Sequence, residues 1–504
     1  MIRKFVPFSF FALPNWSLPG ICLLYSLSAF AGTPVVHVAS PLNNAQTTSP
    51  VNFVVSATST GCAGGIEAIR IYSAPYVIAF TGGGSQIDTY INLKPGTYNT
   101  VVQAWDNCGN VGEARVTITA TAAIPPAGFL YTVNSDYVYG NTTNNVQGFT
   151  IVGSNGALAP TGQAQVNANQ FPVSATADKG GYRLYVGDYI SGDIFAYFID
   201  SRNGYLTPVP GSPYPVKRSV TAVAVHPSGQ LVFAARSEYA AGDGVAVFQV
   251  QSNGTLKEAP GSPYATQTGP QALAVDPDGK YLYVADGSGF IDIFDVDTVS
   301  GALTPVSESP LALDDNTCGA AYPVDLLNFA GTFLYASDGV TSVIDGYYVE
   351  PSTPTLVKIN GSPWPDTGSC QGVGGIDNPA AAYAPKSLAI DGTGKFLYAL
   401  NEIPFDNVAI YSVGSNGSLT YLKSTATFTA CWGAVRTDPA GNYLYTGSCN
   451  VGQPPNIGAV DGYAINHSTG DLTRLPTSPF TFPLPDRTLI QDIAVTPWPK
   501  NSAR

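Results

Sequence analysis

The chain has 504 residues, of which only 11% are charged, whereas 53 are glycine and 40 are proline. Charged residues are thus fewer than half of the ~25% in average globular proteins, and beyond the N-terminus no segment keeps the spacing of an amphipathic helix, which favours an all-β protein. The net charge of −13 argues against nucleic-acid binding, because such binding depends on lysine and arginine neutralising phosphates.

Residues 1–31 have the features of a secretory signal peptide. Arg3 and Lys4 precede an apolar stretch, and Ala29-Phe30-Ala31 matches the small-x-small pattern of a cleavage site. The apolar stretch is shorter than the ~20 residues that a membrane span requires. We therefore expect an exported protein without a membrane span, located in the periplasm, at the cell surface or outside the cell.

Residues 34–121 contain seven short segments that alternate apolar and polar residues, separated by Gly, Asn and Pro. This spacing predicts strands that bury one face each, and so many short strands predict an immunoglobulin-like β-sandwich. The segment LKPGTYNTVVQAWDNCGNVG, at 93–112, resembles the end of the Ig-like modules of bacterial surface and exported proteins. That resemblance implies a spacer or adhesion role. Residues 122–128, with two consecutive prolines, are expected to be a stiff linker.

From residue 129 to residue 499, a pattern of four short strands recurs seven times. Its clearest copy, QALAVDPDGKYLYVA at 271–285, has an apolar strand, a turn and an aromatic strand, after which come an alternating strand and a Gly-x-Leu segment. The aromatic strands are 47 to 63 residues apart and are centred on Tyr131, Tyr185, Phe233, Tyr283, Tyr335, Tyr398 and Tyr445. Four-stranded units at this period predict the blades of a seven-bladed β-propeller.

The two ends of this repeat are complementary. FLYTV, at 129–133, is an aromatic strand without an apolar strand before it, and IQDIAVTPWP, at 490–499, is an apolar strand without an aromatic strand after it. We therefore predict that residues 490–497 pair beside residues 129–133. This pairing would close the ring and remove an exposed sheet edge.

Six cysteines remain after the signal peptide, an even number that fits an oxidising compartment. Their positions in the predicted loops favour three disulfides, Cys62–Cys108, Cys318–Cys370 and Cys431–Cys449. The cysteines are too widely spaced for a zinc site and no histidine is near them, so no metal is expected.

Ligands of β-propellers usually bind at the mouth of the central channel, where the loops before the first strands and after the second strands lie. The positions entering the first strands are Val173, Thr221, Gln271, Pro323, Lys386, Gly433 and Gln491. Those after the second strands are acid-rich: Asn134, Asp188, Arg236 with Glu238, Asp286, Asp338, Asn401 with Glu402, and Asn450. Each Asp or Asn could instead bond its own turn, and this alternative stays open. Asn401, Glu402 and Lys386 belong to one blade and form the best local candidate site.

The repeats resemble those of the seven-bladed β-propeller lactonase family, which includes 6-phosphogluconolactonase-like and carboxymuconate-cyclase-like enzymes. The resemblance lies in GPQALAVDPDGKYLYVAD (269–286), SVTAVAVHPSGQLVFAA (219–235) and SLAIDGTGKFLYALNE (387–402). It implies a propeller fold and lactone hydrolysis, and the family's Asn-Glu pair corresponds to Asn401-Glu402. The family's Gly-Pro-Arg-His run is Gly269-Pro270-Gln271-Ala272 here, and its His-rich entry into an early blade is Phe171-Pro172-Val173.

Two functions are compatible with these features. Loss of the family's Arg and His favours a non-enzymatic propeller that binds a small carbohydrate-type ligand, an extracellular protein or a glycan. The alternative is a lactonase acting on a sugar lactone, with Glu402 as general base and Lys386 or Gln271 on the carbonyl oxygen. The predicted ligand-binding residues are Asn401, Asp188, Glu238, Asp286 and Asp338. A monomer without a cofactor is expected in both cases.

Overall fold

The structure is a computed structural model. It describes residues 32–49, 51–74, 77–91, 93–121, 126–136, 144–168, 170–313, 322–339, 342–350, 353, 355–365, 385–401, 407–427, 433–449, 457–484 and 488–499. Every regular element in these ranges is a β-strand, and none of them contains a helix that could cross a bilayer. The chain divides into two compact units, Met1–Ile124 and Pro125–Arg504. The predicted signal peptide and most of the predicted linker lie outside the described residues.

The first unit holds two β-sheets that share one core. Its strands are β1 (Val35–Ser40), β2 (Ala45–Thr48), β3 (Val51–Thr58), β4 (Ile66–Ala74), β5 (Val77–Gly83), β6 (Gln86–Ile91), β7 (Gly96–Asp106) and β8 (Val111–Thr121). One sheet has the order β1-β3-β6 and the other β2-β8-β7-β4-β5, and only β2 and β8 pair in parallel. Alternate side chains of β3, β4 and β7 are buried together, among them Phe53, Ile71 and Val102. This is the two-layer packing that the alternation of apolar residues predicts.

A disulfide between Cys62 and Cys108 joins the β3–β4 connection to the β7–β8 turn, with the two Cα atoms 5.9 Å apart. This prediction is confirmed. The sulfur atoms of the other two predicted disulfides belong to Cys318, Cys370, Cys431 and Cys449, whose side chains lie outside the described part of the chain. Those two pairings therefore stay predictions.

The described strands of the second unit form seven antiparallel sheets, numbered here in chain order. Sheet 1 holds β9 (Gly128–Asp136), β10 (Asn145–Ile151), β11 (Leu158–Pro160), β12 (Val166–Asn167) and the C-terminal strand β42 (Thr488–Pro497). Sheet 2 holds β13 (Pro172–Ala177), β14 (Arg183–Asp188), β15 (Asp193–Ile199), β16 (Leu206–Pro208) and β17 (Tyr214–Pro215). Sheet 3 holds β18 (Val220–Val225), β19 (Leu231–Arg236), β20 (Gly244–Val250), β21 (Leu256–Glu258) and β22 (Tyr264–Ala265).

The remaining four sheets repeat this arrangement. Sheet 4 holds β23 (Pro270–Val275), β24 (Tyr281–Asp286), β25 (Phe290–Val296), β26 (Leu303–Pro305) and β27 (Leu311–Ala312). Sheet 5 holds β28 (Pro323–Phe329), β29 (Phe333–Asp338), β30 (Val343–Val349), β31 (Leu356–Lys358) and β32 (Trp364–Pro365). Sheet 6 holds β33 (Pro385–Ile390), β34 (Phe396–Asn401), β35 (Asn407–Val413) and β36 (Leu419–Ala426). Sheet 7 holds β37 (Val435–Thr437), β38 (Tyr443–Cys449), β39 (Ile457–Ile465), β40 (Leu472–Arg474) and β41 (Phe480–Pro483).

The first strands of these sheets adjoin one another in a cyclic order: β42, β13, β18, β23, β28, β33, β37 and again β42. The C-terminal strand β42 is the innermost strand of sheet 1, beside β9. Ile490 lies opposite Asn134, and Val495 lies opposite Leu130. This pairing agrees with the prediction for residues 490–497. The second unit is therefore a propeller-type fold in which the two ends of the repeat meet within one sheet.

Tyrosine hydroxyl groups link neighbouring sheets. The tyrosine at the centre of a second strand is fully buried, and four such hydroxyls donate hydrogen bonds to a glycine carbonyl in the adjacent sheet: Tyr131 to Gly204, Tyr335 to Gly417, Tyr398 to Gly470 and Tyr445 to Gly156. These glycines belong to the Gly-x-Leu segments. At Gly204, with φ of 76°, an added Cβ atom would lie 2.5 Å from the Phe129 ring. The repeated glycine therefore permits close contact between neighbouring sheets.

The repeated Gly-Ser-Pro segments before the short fifth strands are also structural. Their serine Oγ atoms accept hydrogen bonds from backbone N–H groups of the third strands, as Ser212 does from Ala196 and Ser262 does from Val247. The same bond occurs in three further sheets: at Ser362 of a Gly-Ser-Pro segment, and at Ser309 and Ser478, where the residue before Ser-Pro is Glu or Thr.

The tyrosine bonds allow a matched test of how sheets 7 and 1 are held together. Tyr445→Phe removes the hydroxyl that donates to Gly156 at 2.7 Å, so we expect the free energy of unfolding to fall by about 0.5–1.5 kcal/mol. Tyr185→Phe is the control, because the buried Tyr185 hydroxyl has no partner among the described residues and its removal should be neutral or stabilising. Urea unfolding of both variants measures the difference. Equal effects would show that the bond to Gly156 contributes nothing.

Candidate functional site

The first strands of the second unit enclose a cavity of 790 Å³. Residues of all seven first-strand segments line it, and Phe171, Tyr189 and Tyr322 add aromatic rings to its wall. The volume falls in the range of roughly 300–1,000 Å³ that is usual for small-molecule sites. Because the wall residues come from seven different sheets, the cavity depends on how the sheets pack around it.

A β-bulge at the entry of six of the seven first strands supplies much of this lining. The strand register skips one residue at six of the seven entries, and the skipped residues all line the cavity: Val173, Thr221, Gln271, Val324, Lys386 and Gln491. Gly433, just before β37, lines it as well. A bulged residue is unpaired, so its side chain can turn away from the ladder, and this arrangement is common beside binding sites.

The prediction for sheet 5 was wrong by one residue. Pro323 begins β28 and pairs with Asp338, whereas Val324 is the bulged residue that lines the cavity. Pro270 and Pro385 occupy the same place before the bulges of their sheets. The proline is therefore the marker that could have located Val324 from the sequence.

Lys386 and Gln271, two of the three predicted catalytic residues, line the cavity. The Gln271 amide donates to the Tyr239 hydroxyl at 2.8 Å, and that hydroxyl is 2.6 Å from the hydroxyl of Tyr322. Glu402, the predicted base, lies outside the described residues, as does Asn450. The structure thus brings two of the predicted residues to one cavity and says nothing about the third.

Asp188 and Asp338, predicted to bind a ligand, are buried beneath the loops that lead to the cavity. The carboxylate of Asp188 accepts hydrogen bonds from four backbone N–H groups, including that of Phe171 at 2.7 Å. Asp338 accepts one from the N–H of Tyr322 at 2.6 Å. Neither aspartate lines the cavity, but each holds the loop that carries an aromatic lining residue. The bonds that Asp188 accepts from Ile190 and Ser191 are those of the turn alternative, whereas Asp338 bonds the loop before its sheet.

The other predicted ligand-binding residues are also separate from the cavity lining. Asn401 is buried and donates to Asn407 at 3.0 Å. Asp286 is buried and accepts bonds from the backbone and the hydroxyl of Ser288. Glu238 is half exposed and lies 3.3 Å from Arg218. None of the three lines the cavity, so in these positions too the carboxylates and amides serve nearby loops.

Three charged residues of the cavity, Asp325, Arg436 and Asp492, were not predicted from the sequence. Arg436 Nη2 lies 3.0 Å from Asp492 Oδ1, and Arg436 Nη1 lies 2.7 Å from Ser387 Oγ and 4.0 Å from Asp325 Oδ2. These four residues come from four different sheets and all line the cavity. The sequence did contain a signal for Arg436. The position opposite the central aromatic residue of the second strand is Thr, Ala or Leu in the other six first strands, as at Thr176.

The two aspartates are fixed by the neighbouring first strands. Asp492 Oδ2 accepts a hydrogen bond from the N–H of Ala175, and Asp325 Oδ2 accepts one from the N–H of Leu388, each at 2.9 Å. Ser174 and Ser387, at the same place in their strands, accept from the N–H groups of Val223 and Val435. Each of these side chains therefore joins its sheet to the next one.

Burial and neighbouring charges shift the pKa values of Asp325, Asp492 and Arg436 in opposite directions. Burial raises the pKa of Asp325 and of Asp492 above the usual value, although the positive charge of Arg436 opposes the change. Burial by itself lowers the pKa of Arg436, but the two nearby carboxylates outweigh it and raise that pKa. Arg436 is therefore a permanently charged group on which the ionisation of both carboxylates depends.

Arg436→Met should expose this dependence. Without the cation, the raised pKa values of Asp325 and Asp492 should rise further. A carboxyl group whose folded pKa is raised stabilises the fold at pH values below its unfolded pKa. This contribution is lost as the pH increases through the folded pKa. We expect a loss of about 1–3 kcal/mol at neutral pH, smaller in acid, measured by urea unfolding at several pH values. Arg202→Met, which removes an exposed arginine paired with Asp200, should leave the free energy of unfolding unchanged at each pH. A loss that is the same at every pH would contradict the electrostatic origin.

Asp286 provides a second pH test. Burial raises its pKa to about 7; bonds from Ser288 oppose this change, whereas the neighbouring Asp292 charge adds to it. Its contribution to stability is complete below the unfolded pKa of about 4 and is lost as pH rises to about 7. Asp286→Asn should thus make the decrease in the free energy of unfolding between about pH 4 and about pH 7 smaller by about 2–4 kcal/mol. The exposed Glu308→Gln, between β26 and β27 of the same sheet, should leave the profile unchanged, and a similar effect there would refute the assignment to Asp286.

One further group has the ligand types of a metal site among the described residues. It consists of Cys62, Asp106 and Cys108 in the first unit, and its two sulfur atoms are bonded to each other. With both thiols consumed by the disulfide, the group lacks the thiolates that a zinc site would use.

The model of the family "Lactonase, 7-bladed beta-propeller" matches residues 205–318. Among solved structures, a Bacteroides fragilis protein described provisionally as a 6-phosphogluconolactonase has a TM-score of 0.56 at 20% identity, over 73% of this chain and 98% of that chain. A similar protein of Bacteroides uniformis gives 0.57 at 20%, over 73% and 99%. The periplasmic gluconolactonase of Pseudomonas aeruginosa gives 0.55 at 16%, over 73% and 99%. No curated protein matches the chain in sequence.

These likenesses concern the fold, since the identities are too low to carry an activity across. The match to the family model lies within the sheets that form the cavity, from residue 205 to residue 318. The described part of the chain is therefore all-β, and its second unit has a propeller-type fold similar to that of the lactonase family.

Proposed function

We propose that this chain is an exported propeller that binds a small carbohydrate-type ligand in its central cavity without hydrolysing it. The proposal rests on the hydrogen bonds and ion pairs that hold the charged groups of the cavity. Asp325 and Asp492 each accept two backbone N–H bonds, and Arg436 lies between them. A general base must be free to take a proton from water, whereas these carboxylates are held by bonds that join the sheets.

The remaining lining suits a ligand with apolar faces and polar edges. Phe171, Tyr189 and Tyr322 offer ring surfaces, Lys386 offers a charged hydrogen-bond donor, and Gln271 offers the acceptor oxygen of its amide, whose two N–H groups bond Tyr239 and Gly269. Small-molecule sites commonly combine an apolar lining with a few fixed polar groups. A sugar ring has both kinds of surface, which is why we assign the ligand to this class. An extracellular protein or a longer glycan remains the other predicted partner.

The proposal includes the finer architecture of the chain. The cyclic order of the seven sheets and the pairing of β42 with β9 support a seven-bladed ring closed by its C-terminal strand. The shared core of the two sheets in residues 34–121 supports an Ig-like spacer. The Cys62–Cys108 disulfide and the cleavage pattern at Ala29-Phe30-Ala31 support export, because disulfides persist in oxidising compartments.

Lactone hydrolysis is the second candidate, and a specific observation favours it. Lys386 and Gln271, which were predicted to contact the carbonyl oxygen of a lactone, line the same cavity. The fold is also shared with a protein named as a periplasmic gluconolactonase. Glu402 would be the base in this mechanism and would take a proton from the water that attacks the lactone carbonyl carbon. The ring C–O ester bond would then break, and the proton would pass to the departing ring oxygen, which becomes a hydroxyl group.

A binding assay and a rate assay on the same preparation separate the two candidates. Calorimetric titration of the mature chain with a monosaccharide panel should show binding, and gluconolactone hydrolysis should stay at the background rate. Lys386→Ala should weaken binding about tenfold, since it removes a charged donor from the cavity. Lys280→Ala should have no effect, because that lysine lies over the Tyr281 ring and does not line the cavity.

Three outcomes of these assays would overturn the proposal. Hydrolysis that Glu402→Gln reduces by ~10²–10⁴-fold would establish the lactonase instead. Hydrolysis that survives Glu402→Gln would contradict both candidates and place the chemistry on another residue. The absence of both binding and hydrolysis would refute the assignment of the cavity to a carbohydrate-type ligand.

A further inference from the structure

The guanidinium group of Arg436 has donors that the protein does not use. Its Nη1 atom donates to Ser387 Oγ and to the carbonyl of Val435, and its Nη2 atom donates to Asp492. No described residue accepts a hydrogen bond from its Nε–H group. About a third of the side chain, 32%, is open to solvent although the residue lines the cavity wall. Of the five N–H donors of an arginine, two are therefore left for a ligand.

The two unused donors are on neighbouring nitrogen atoms of the guanidinium, Nε and Nη2. An Nε–H group and an Nη2–H group on the same edge of a guanidinium are parallel and meet two neighbouring oxygen atoms at once. Carboxylates and phosphates present such a pair, and so do two adjacent hydroxyl groups of a sugar ring. Geometry alone therefore allows charged and uncharged ligands, and the surrounding charges must decide between them.

The charges around Arg436 disfavour an anion. Asp492 is 3.0 Å from the guanidinium and Asp325 is 4.0 Å from it, so the ionised cluster carries one more negative than positive charge. Both carboxylates retain access to the cavity, with 10% and 22% of their side-chain surfaces exposed. An anion bound to Arg436 would face both of them at short range, where Coulomb repulsion is strong. A hydroxyl group can instead donate to one of these carboxylates while it accepts from Arg436.

We propose that Arg436 binds two adjacent hydroxyl oxygens of an uncharged sugar, and that Asp325 and Asp492 exclude sugars carrying a carboxylate or a phosphate group. This inference rests on the proposed function and narrows it to a ligand class. It assigns the selectivity of the cavity to three residues of β28, β37 and β42. Lys386, a cation that lines the same cavity, belongs to β33 and lies outside this cluster.

The test compares matched sugars on the full mature chain at neutral pH. Calorimetric titrations use glucose, galactose and mannose as neutral probes. Their charged counterparts are glucuronate and glucose 6-phosphate, galacturonate, and mannose 6-phosphate, respectively. We expect each bound neutral sugar to bind at least about tenfold more tightly than its charged counterpart. Equal or tighter binding of a charged counterpart would overturn the inference and leave the proposed function standing. Failure of every probe to bind would refute the proposed function itself.

Two variants distinguish recognition from a structural role. Arg436→Lys keeps the positive charge but removes the paired donors, so it should lower the affinity for the neutral sugar about tenfold or more. Asp325→Asn removes a negative charge at nearly constant size, so it should improve the binding of charged sugars relative to neutral ones about tenfold. A fold defect would weaken both kinds of sugar equally and would not change this ratio.

Arg474→Lys serves as the matched control. Arg474 also pairs with a buried aspartate, Asp461, but it lies in the outer strand β40 and does not line the cavity. This variant should retain the affinity and the selectivity of the unaltered chain. An unchanged affinity ratio in Asp325→Asn would contradict the assigned role of the carboxylates.

Discussion

The pairing of the C-terminal strand β42 with β9 is the constraint on which the rest of the second unit depends. Nine residue pairs join the two strands, from Thr488 opposite Asp136 to Pro497 opposite Gly128. Without this pairing, β9 would present an unpaired edge, and the first strand of sheet 1 would be absent. Every first strand adjoins two others, so the loss of one first strand removes a neighbour from each of the two strands beside it.

The candidate site is built from the same contact. Asp492 belongs to β42, and its carboxylate accepts bonds from β13 on one side and from Arg436 of β37 on the other. Arg436 in turn faces Asp325 of β28 across the cavity. The group that we propose to select the ligand is therefore assembled only when sheet 1 receives its last strand. Asp492 would therefore couple folding to the proposed recognition.

Much of this fold could be predicted from the sequence, because each repeat specifies its own turns and strands. The spacing of the tyrosines and the incomplete ends, FLYTV and IQDIAVTPWP, predict the sheets and the pairing of β42. The bulged lining residues follow from the same repeat, except that Pro323 was chosen where Val324 lines the cavity. The cluster at Arg436 could not be predicted in this way, because 111 positions separate Asp325 from Arg436 and only sheet packing brings them together. Asp188 shows the converse limit: a carboxylate after a strand suits a turn and a site equally well, and only its four backbone donors distinguish them.

Hydrogen exchange of a chain truncated after residue 487 tests this account most directly. A chain lacking only residues 500–504 is the control, because β42 ends at Pro497. If β42 completes both the ring and the cavity, amides of β9, β13 and β37 should lose protection in the truncated chain, while those of β1–β8 keep it. Loss confined to β9 would contradict the account, since it would show that the remaining sheets and the cavity wall hold together without the C-terminal strand.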